Sequence, residues 1–152
     1  MYSIDTSALI DAWSRDYRPN VFPSLWERMA RLIEEHRLVA SMSVRDEIEK
    51  GDDILADWAR GIPALFLEDD EDVQLMVRSI LENWPRLADF NRFLKGADPF
   101  VIALARCRGF TVVASEKLSG NLNHPKIPDA CRHYGVRCIR AMDMFEELGW
   151  QF

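Results

Sequence analysis

The sequence lacks the features of several common protein classes. It has no run of about 20 continuous apolar residues, the length that a membrane-spanning helix needs. It opens on Tyr2-Ser3-Ile4-Asp5, without a basic and apolar leader. Its 152 residues suffice for one substantial core and are too few for two ordinary domains. We therefore expect a single soluble domain over residues 1–152 that is cytoplasmic and has no membrane partner.

Cysteine is scarce as well. Cys107, Cys131 and Cys138 are odd in number and form no C-x-x-C pair, which argues against a disulfide framework or a zinc ribbon. Cys131, His133 and Cys138 supply three potential zinc ligands, but their spacing fits no zinc finger and a fourth ligand is not evident. We expect free, buried thiols instead.

Other catalytic motifs are missing too. The three histidines are too scattered for a catalytic triad, and neither a G-x-S-x-G elbow nor a glycine-rich phosphate loop occurs. The net charge of −6 argues against a protein that coats nucleic acid by bulk electrostatics. It does not argue against a protein whose acids bind metal, because bound divalent cations offset the charge of their carboxylate ligands.

Short apolar segments alternate with amphipathic ones along the chain. The apolar and β-branched segments predict strands over residues 1–4, 38–40, 110–114 and 136–139. Helical spacing predicts helices over residues 6–10, 23–36, 44–50, 99–105 and 142–148. Strands that alternate with helices imply a parallel sheet covered on both faces, so we expect the α/β class with a short parallel central sheet.

The middle of the chain, residues 52–94, has apolar positions at helical spacing and no strand alternation, so we expect a helix-rich segment. Its acidic run at residues 68–72 is interpreted as a solvated helix start rather than a metal site. Ser43 with Asp46 resembles a capping box. Asp98 followed by Pro99 indicates a helix that has Asp98 as its N-cap.

Four acids are expected at one edge of this sheet. Asp5 and Glu116 each follow a predicted strand, Asp98 begins the helix that leads into the third strand, and Glu47 lies one turn into the helix after the second. Open α/β sheets place their sites at the carboxyl ends of the strands. Each acid taken singly is explained as a helix cap or a surface charge, but all four together predict a metal site.

The order of these motifs resembles the PIN-domain superfamily of nucleases, in particular the VapC-like toxin ribonucleases. The matching segments are Ile4-Asp5-Thr6-Ser7-Ala8-Leu9-Ile10, Ser43-Val44-Arg45-Asp46-Glu47-Ile48, Ala97-Asp98 with Ile102-Ala103-Leu104-Ala105, and Val112-Val113-Ala114-Ser115-Glu116. More narrowly, the long helical middle and Lys126-Ile127-Pro128-Asp129-Ala130-Cys131 look like a PIN-like family described as a domain of unknown function, DUF4411.

The resemblance implies a PIN-like α/β/α sandwich and a Mg²⁺- or Mn²⁺-dependent endoribonuclease that leaves 5′-phosphate and 3′-hydroxyl ends. Asp5, Glu47, Asp98 and Glu116 would be its metal-binding and catalytic residues, with Asp5 and Asp98 central. The partners implied are an RNA substrate and an antitoxin protein, because VapC-like enzymes are the toxins of toxin–antitoxin pairs. A homodimer is a further option. Divalent cations suit the reaction, since they neutralise the phosphodiester and activate water.

The chain departs from the superfamily pattern in the fourth motif. That motif usually reads Thr-x-Asp, and here Ala114 and Glu116 take those places. Leu118 removes a second acid two residues on, for which Asn121, Asn123 or Asp129 are candidate replacements. The departure favours an alternative function, a degenerate PIN-like module that binds protein or RNA without cleaving it.

A third hypothesis is a phosphohydrolase with Asp5 as its nucleophile. Enzymes of the haloacid-dehalogenase type need a second Asp where Ser7 stands, which argues against it. Ser7 is instead expected to hydrogen-bond a metal-bound water or a phosphate oxygen. Basic residues near the expected cleft are candidates for contacts with RNA phosphates, with solvation as an equal alternative; they are Arg92, Lys95, Lys117, Lys126 and Arg132.

Overall fold

The computed structural model describes residues 1–51, 53–84, 96–121 and 125–152. A parallel sheet of five strands runs through its centre, in the spatial order β3-β2-β1-β4-β5. The strands are β1 (Tyr2–Ile4), β2 (Leu38–Ser41), β3 (Phe66–Leu67), β4 (Thr111–Val113) and β5 (Cys138–Ile139). The expected α/β class with a short parallel sheet is confirmed.

Helices connect the strands and cover the sheet as an α/β/α sandwich. They are α1 (Thr6–Asp11), α2 (Pro23–Glu34), α3 (Met42–Gly51), α4 (Asp53–Arg60), α5 (Glu71–Asn83), α6 (Asp98–Arg108), α7 (Ile127–His133) and α8 (Ala141–Glu147). A π-helical turn, Ala12–Asp16, continues α1, and a 3₁₀ turn, Pro63–Leu65, precedes β3. None of the helices within the described ranges is long and apolar enough to cross a membrane.

The first strand of the chain lies in the middle of the sheet. In β1, Ser3 pairs with Val39 of β2, and Ile4 pairs with Val113 of β4. The Asp5 amide then donates to the Val113 carbonyl over 2.9 Å. Because every pairing is parallel, the residues that follow β1, β2, β4 and β5 all emerge at one edge of the sheet.

Successive residues of the strands are mostly apolar because both faces of the sheet are buried in the core. Helices pack on the sheet, so successive strand residues are buried whichever face they point to; Leu38, Val39 and Ala40 of β2 are at most 1% exposed. Large buried side chains from the helices, among them Leu9 and Ile102, join them in one hydrophobic cluster. Each such side chain contributes roughly 1.5–3 kcal/mol by burial.

The middle segment is helix-rich as predicted, but it also contains an unpredicted strand, and the predicted cap at Ser43 is wrong. The middle segment contains the edge strand β3, which pairs with β2 but is only two residues long, too short to show an alternating pattern. Helix α3 begins at Met42, and the Ser41 hydroxyl accepts from the Ser43 amide over 3.0 Å. Ser41 therefore occupies the N-cap position of α3, and Ser43 does not.

The boundaries of α5 and α6 also refine the expectations. Asp70 caps α5 by accepting from the Val73 amide over 3.1 Å, so the acidic run does begin a helix. Asp98 is the first residue of α6 rather than its N-cap; Ala97 takes that position and makes no side-chain cap. Gly109 ends α6 with φ 70°, in the left-handed region that favours glycine.

Candidate functional site

Asp5 is the central acid of the sheet edge. It follows the central strand β1 and caps α1, where its Oδ2 accepts from the Ser7 amide over 3.0 Å and from the Ser7 hydroxyl. The side chain is only 2% exposed. Its other oxygen, Oδ1, is buried and has no hydrogen-bond partner among the described residues. A buried carboxylate oxygen without a partner is costly, so this atom is a candidate ligand for a cation.

Burial raises the pKa of Asp5 from its ordinary 3.8 to about 6. The negative charge of Glu47 raises the pKa further, whereas the hydrogen bonds from Ser7 lower it and only partly compensate. The folded protein therefore holds an acid that resists ionisation, next to a second acid. A strongly perturbed acid at the carboxyl edge of a parallel sheet is typical of functional sites.

Glu47 joins α3 to the start of α6. Its Oε1 accepts from the Ala97 amide over 3.0 Å, and Ala97 immediately precedes Asp98. Asp98 is 7% exposed and begins α6, a helix that packs against β1, β2 and β4. Helix α6 runs back along the sheet to enter β4 from the opposite edge, so its first residue lies at the carboxyl edge. The structure thus brings Asp5, Glu47 and Asp98 to one region.

Glu116 reaches the same region through the loop after β4. Ser115 links this loop to α1, since its amide donates to the Ser7 hydroxyl and its own hydroxyl donates to the Ser7 carbonyl, both over 3.3 Å. The half-buried Glu116 accepts from the Ile127 amide at the start of α7 over 3.2 Å. The charges of both Asp5 and Glu116 act on the Cys138 thiol of β5, so both acids lie near the end of this strand.

The Ser7 hydroxyl has a different place from the one expected. It donates to Asp5 and accepts from the Ser115 amide, so it connects the strand-end acid with the loop that carries Glu116. The sequence analysis assigned no role to Ser115, although this residue lies in the fourth motif between Ala114 and Glu116. It also missed Arg15 and Arg140, the second of which directly follows β5.

Asp129 is not a spare acid for the site. Its carboxylate accepts from the amides of Ser119, Gly120 and Lys126 and from the Ser119 hydroxyl, over 2.8–3.2 Å. Burial alone would raise the pKa of Asp129, but these hydrogen bonds outweigh it and hold the pKa below its ordinary value. Asp129 therefore closes the loop between Glu116 and α7. Arg92, Lys95, Asn123 and His124 lie outside the described residues.

The four acids do not form a closed cage. No group of three acids, histidines or cysteines that could hold a metal occurs among the residues that the structure describes. Glu47 and Glu116 instead each hold a backbone amide with one carboxylate oxygen, Oε1 of Glu47 and Oε2 of Glu116. All four donors are carboxylate oxygens, which suit a hard divalent cation such as Mg²⁺ or Mn²⁺.

The cysteines lie nearby. Cys131 is buried, whereas Cys107 and Cys138 are only half-buried, so the expectation of buried thiols is met by one of the three. A hydrogen bond with Cys138 and, secondarily, burial raise the pKa of the Cys131 thiol. The His133 ring packs edge-on against Trp84 and Tyr134. Cys131, Cys138 and His133, the three potential zinc ligands, therefore have packing contacts of their own.

The fold and the site define an α/β/α protein whose central strand ends in a buried, partly unsatisfied carboxylate with other acids close by. The chain belongs to the family described as "Domain of unknown function (DUF4411)", whose model matches residues 2–152. A comparison with curated proteins finds no match.

Proposed function

We propose that this protein is a metal-dependent ribonuclease of the PIN-like type, with Asp5, Glu47, Asp98 and Glu116 as its metal-binding acids. The observation that carries the proposal is the state of Asp5. It is almost fully buried, its Oδ1 lacks a hydrogen-bond partner among the described residues, and its pKa is raised to about 6. A purely structural N-cap aspartate has no need of such a costly environment, because the Ser7 amide satisfies only Oδ2.

The residues present fit a divalent cation. Asp5 Oδ1 offers an oxygen without a partner, and the buried hydroxyls of Ser3 and Thr6 also lack partners among the described residues, so the end of β1 carries several unsatisfied polar atoms. Asp98 would be the second central ligand, with Glu47 and Glu116 as outer ones. A bound ion would supply charge neutralisation for the phosphodiester and a lowered pKa for the attacking water.

The protein residues supply orientation. Ser7 fixes the Asp5 carboxylate by two hydrogen bonds to Oδ2, while Oδ1 has no hydrogen-bond partner among the described residues. Ser115 in turn fixes the Ser7 hydroxyl. Partners that orient a ligand in this way commonly change metal affinity or activity by about 10–100-fold when removed. Ser7 is therefore a positioning residue in this proposal.

The RNA substrate and the toxin role rest on the resemblance of the motif order to VapC-like ribonucleases. The same resemblance implies an antitoxin partner and products with a 5′-phosphate. Expression of the chain without a partner should then arrest bacterial growth. Glu47→Gln should relieve the arrest, whereas Asp46→Asn, an exposed acid one residue earlier on α3, should not. Equal growth of all three strains would sink the toxin role and leave the nuclease proposal intact.

The second candidate is a PIN-like module that binds RNA or protein without cleaving it. Two observations favour it: Glu47 and Glu116 are already engaged by backbone amides, and Ala114 provides no hydroxyl in the fourth motif. It differs from the first candidate in requiring no divalent cation.

Cleavage of single-stranded RNA separates the two candidates. The purified protein should cleave it in Mn²⁺ or Mg²⁺ and not in chelator, and Asp5→Asn and Asp98→Asn should each abolish cleavage. The control Asp46→Asn, which changes charge equally on the protein surface, should cleave as the wild type does. A folded Asp5→Asn protein with most of its activity would refute the assignment, and a wild type that binds RNA without cleaving it would favour the second candidate.

A further inference from the structure

The carboxyl edge of the sheet has opposite charges at its two ends. Beyond β3 lies the acidic run at residues 68–72, where Asp69 accepts from the hydroxyls of Ser41 and Ser43 over 2.7–2.9 Å and Asp70 caps α5. Beyond β4 and β5 lie the cations Lys117 and Arg140, each after its strand, while Arg132 lines the same groove from the end of α7, nearer the opposite edge of the sheet. Asp5 of β1 stands between the two ends. An anionic chain at this edge is repelled on the β3 side and attracted on the β5 side.

Two grooves that share residues lie on the basic side. The first has a volume of about 210 Å³ and runs between α1 and the start of α8, with Arg15, Ser115, Lys117 and Arg140 in its walls. The second, of about 450 Å³, runs beside β5 and includes Glu116, Lys117, Arg132 and Arg140. Lys117 and Arg140 line both, so the grooves adjoin. Ser115 and Glu116 connect them to the candidate metal site.

Two of the cations form no ion pair within the described part of the chain, although Glu116 and Asp143 line the same groove. Arg15 is paired with Asp11 and Asp16 over 2.9–3.1 Å, and Arg140 contacts Asp143 at 3.5 Å. Lys117 and Arg132 are exposed and form no ion pair with any of the described residues. In a protein of net charge −6, two unpaired cations in the walls of one groove are the strongest attraction for phosphate that these grooves offer.

We propose that the backbone of a single-stranded RNA runs from the metal site across β4 and β5, with Lys117 and Arg132 on its phosphates. The inference rests on the proposed nuclease function and adds the path of the substrate to it. Strands lie about 4.8 Å apart, so β5 is about 10 Å from β1. The two cations therefore contact phosphates beside the scissile one and act on binding rather than on chemistry.

The size of the grooves fits one strand rather than two. The larger groove lies within the range of roughly 300–1,000 Å³ that pockets for small ligands occupy, which suits a nucleotide and not a duplex. Single strands also expose the phosphates and bases that proteins recognise in RNA. The acidic side beyond β2 and β3 remains free of substrate.

Binding of a short, fluorescein-labelled single-stranded RNA tests the path without cleavage. Fluorescence anisotropy is measured in chelator over a range of salt concentrations, for the wild type and for the double variant Lys117→Gln/Arg132→Gln. For single strands, removal of one cation that neutralises a phosphate lowers the slope of log affinity against log salt by about 0.7. The double variant should therefore bind more weakly, with a slope smaller by about 1.4.

Three further proteins serve as controls. Arg78→Gln removes an exposed cation on α5, outside both grooves, and should bind as the wild type does. Lys117→Arg keeps the charge and should retain binding. Asp5→Asn should bind RNA at least as tightly in chelator, since it removes a negative charge near the scissile phosphate.

The outcomes separate the path from the nuclease proposal. A double variant that binds like Arg78→Gln would overturn the path, and so would equal binding of single-stranded and duplex RNA through the same residues. If the double variant shows the expected change of slope but the wild type cleaves no RNA in Mn²⁺, the path is supported and the nuclease proposal is refuted.

Discussion

Replacement of Asp5 by Asn should stabilise the metal-free protein at neutral pH. The folded protein raises the pKa of this carboxyl from 3.8 to about 6, chiefly by burial and secondarily through Glu47. One pKa unit corresponds to about 1.4 kcal/mol, so ionised Asp5 disfavours the folded state by about 3 kcal/mol. Asparagine keeps an oxygen for the Ser7 amide and hydroxyl, remains a good helix cap, and carries no charge.

The effect should depend on pH in a defined direction. Below pH 3.8 the carboxyl is protonated in both the folded and the unfolded state, and Asp5 carries no ionisation penalty. As the pH rises from 3.8 to about 6, the unfolded state loses its proton first, so the wild type becomes less stable. Above about 6 the penalty is complete. The advantage of Asp5→Asn should therefore appear between these values and persist at neutral pH.

Thermal melts in chelator at about pH 4 and about pH 7 measure this difference. For a chain of this length, 1 kcal/mol shifts the melting temperature by about 2–4 °C. Asp5→Asn should gain up to about 10 °C over the wild type at neutral pH and little near pH 4; the gain is smaller where the new amide lacks an acceptor. Added Mn²⁺ should stabilise the wild type and not the variant. A variant destabilised equally at both pH values, beside a wild type indifferent to Mn²⁺, would refute the reasoning.

Two other substitutions probe the contacts around the site. Ser7→Ala should weaken Mn²⁺ binding by about 10–100-fold, measured as the Mn²⁺ concentration that raises the melting temperature, because Asp5 is no longer fixed; Ser7→Thr should restore it, and equal affinity in all three proteins would contradict the positioning role. Asp129→Ala should cost about 2–3 kcal/mol in urea unfolding, since the amides of Ser119 and Lys126 lose a charged acceptor. The pKa of Asp129 lies below its ordinary value, so this contribution is present above about pH 4 and is lost as the pH falls. If the stability of wild type and Asp129→Ala falls equally as the pH is lowered, the stabilising role of the Asp129 carboxylate is contradicted.

Local patterns were enough to predict the centre of the sheet. The run that ends at Ile4 and the β-branched run before Ala114 are apolar because helices cover both faces of the sheet. Once these strands are taken as parallel, their following acids must emerge at one edge. The places of Asp5 and Glu116 in the fold follow from this rule, and their role in metal binding is the proposal built on it.

Long-range contacts could not be predicted in the same way. The bond from the Ala97 amide to Glu47 joins residues 50 positions apart, and nothing in either segment indicates its partner. Strand β3 forms because β2 offers it an open edge, not because Phe66-Leu67 has a strand pattern of its own. The Ser41 cap was missed because a strand end and a helix start share that residue.

The central place of β1 also sets the order in which the molecule is completed during synthesis. Tyr2 pairs with Thr111, so the strand made first must wait for more than a hundred later residues before its second neighbour exists. At about 5–20 residues per second, the ribosome takes about 5–20 s to make them. Asp5 directly follows β1, and Glu116 follows β4, the strand that is made later. The acids at the sheet edge therefore cannot come together on a growing chain that has not yet passed β4, so whatever function needs all four of them is absent through most of the protein's translation.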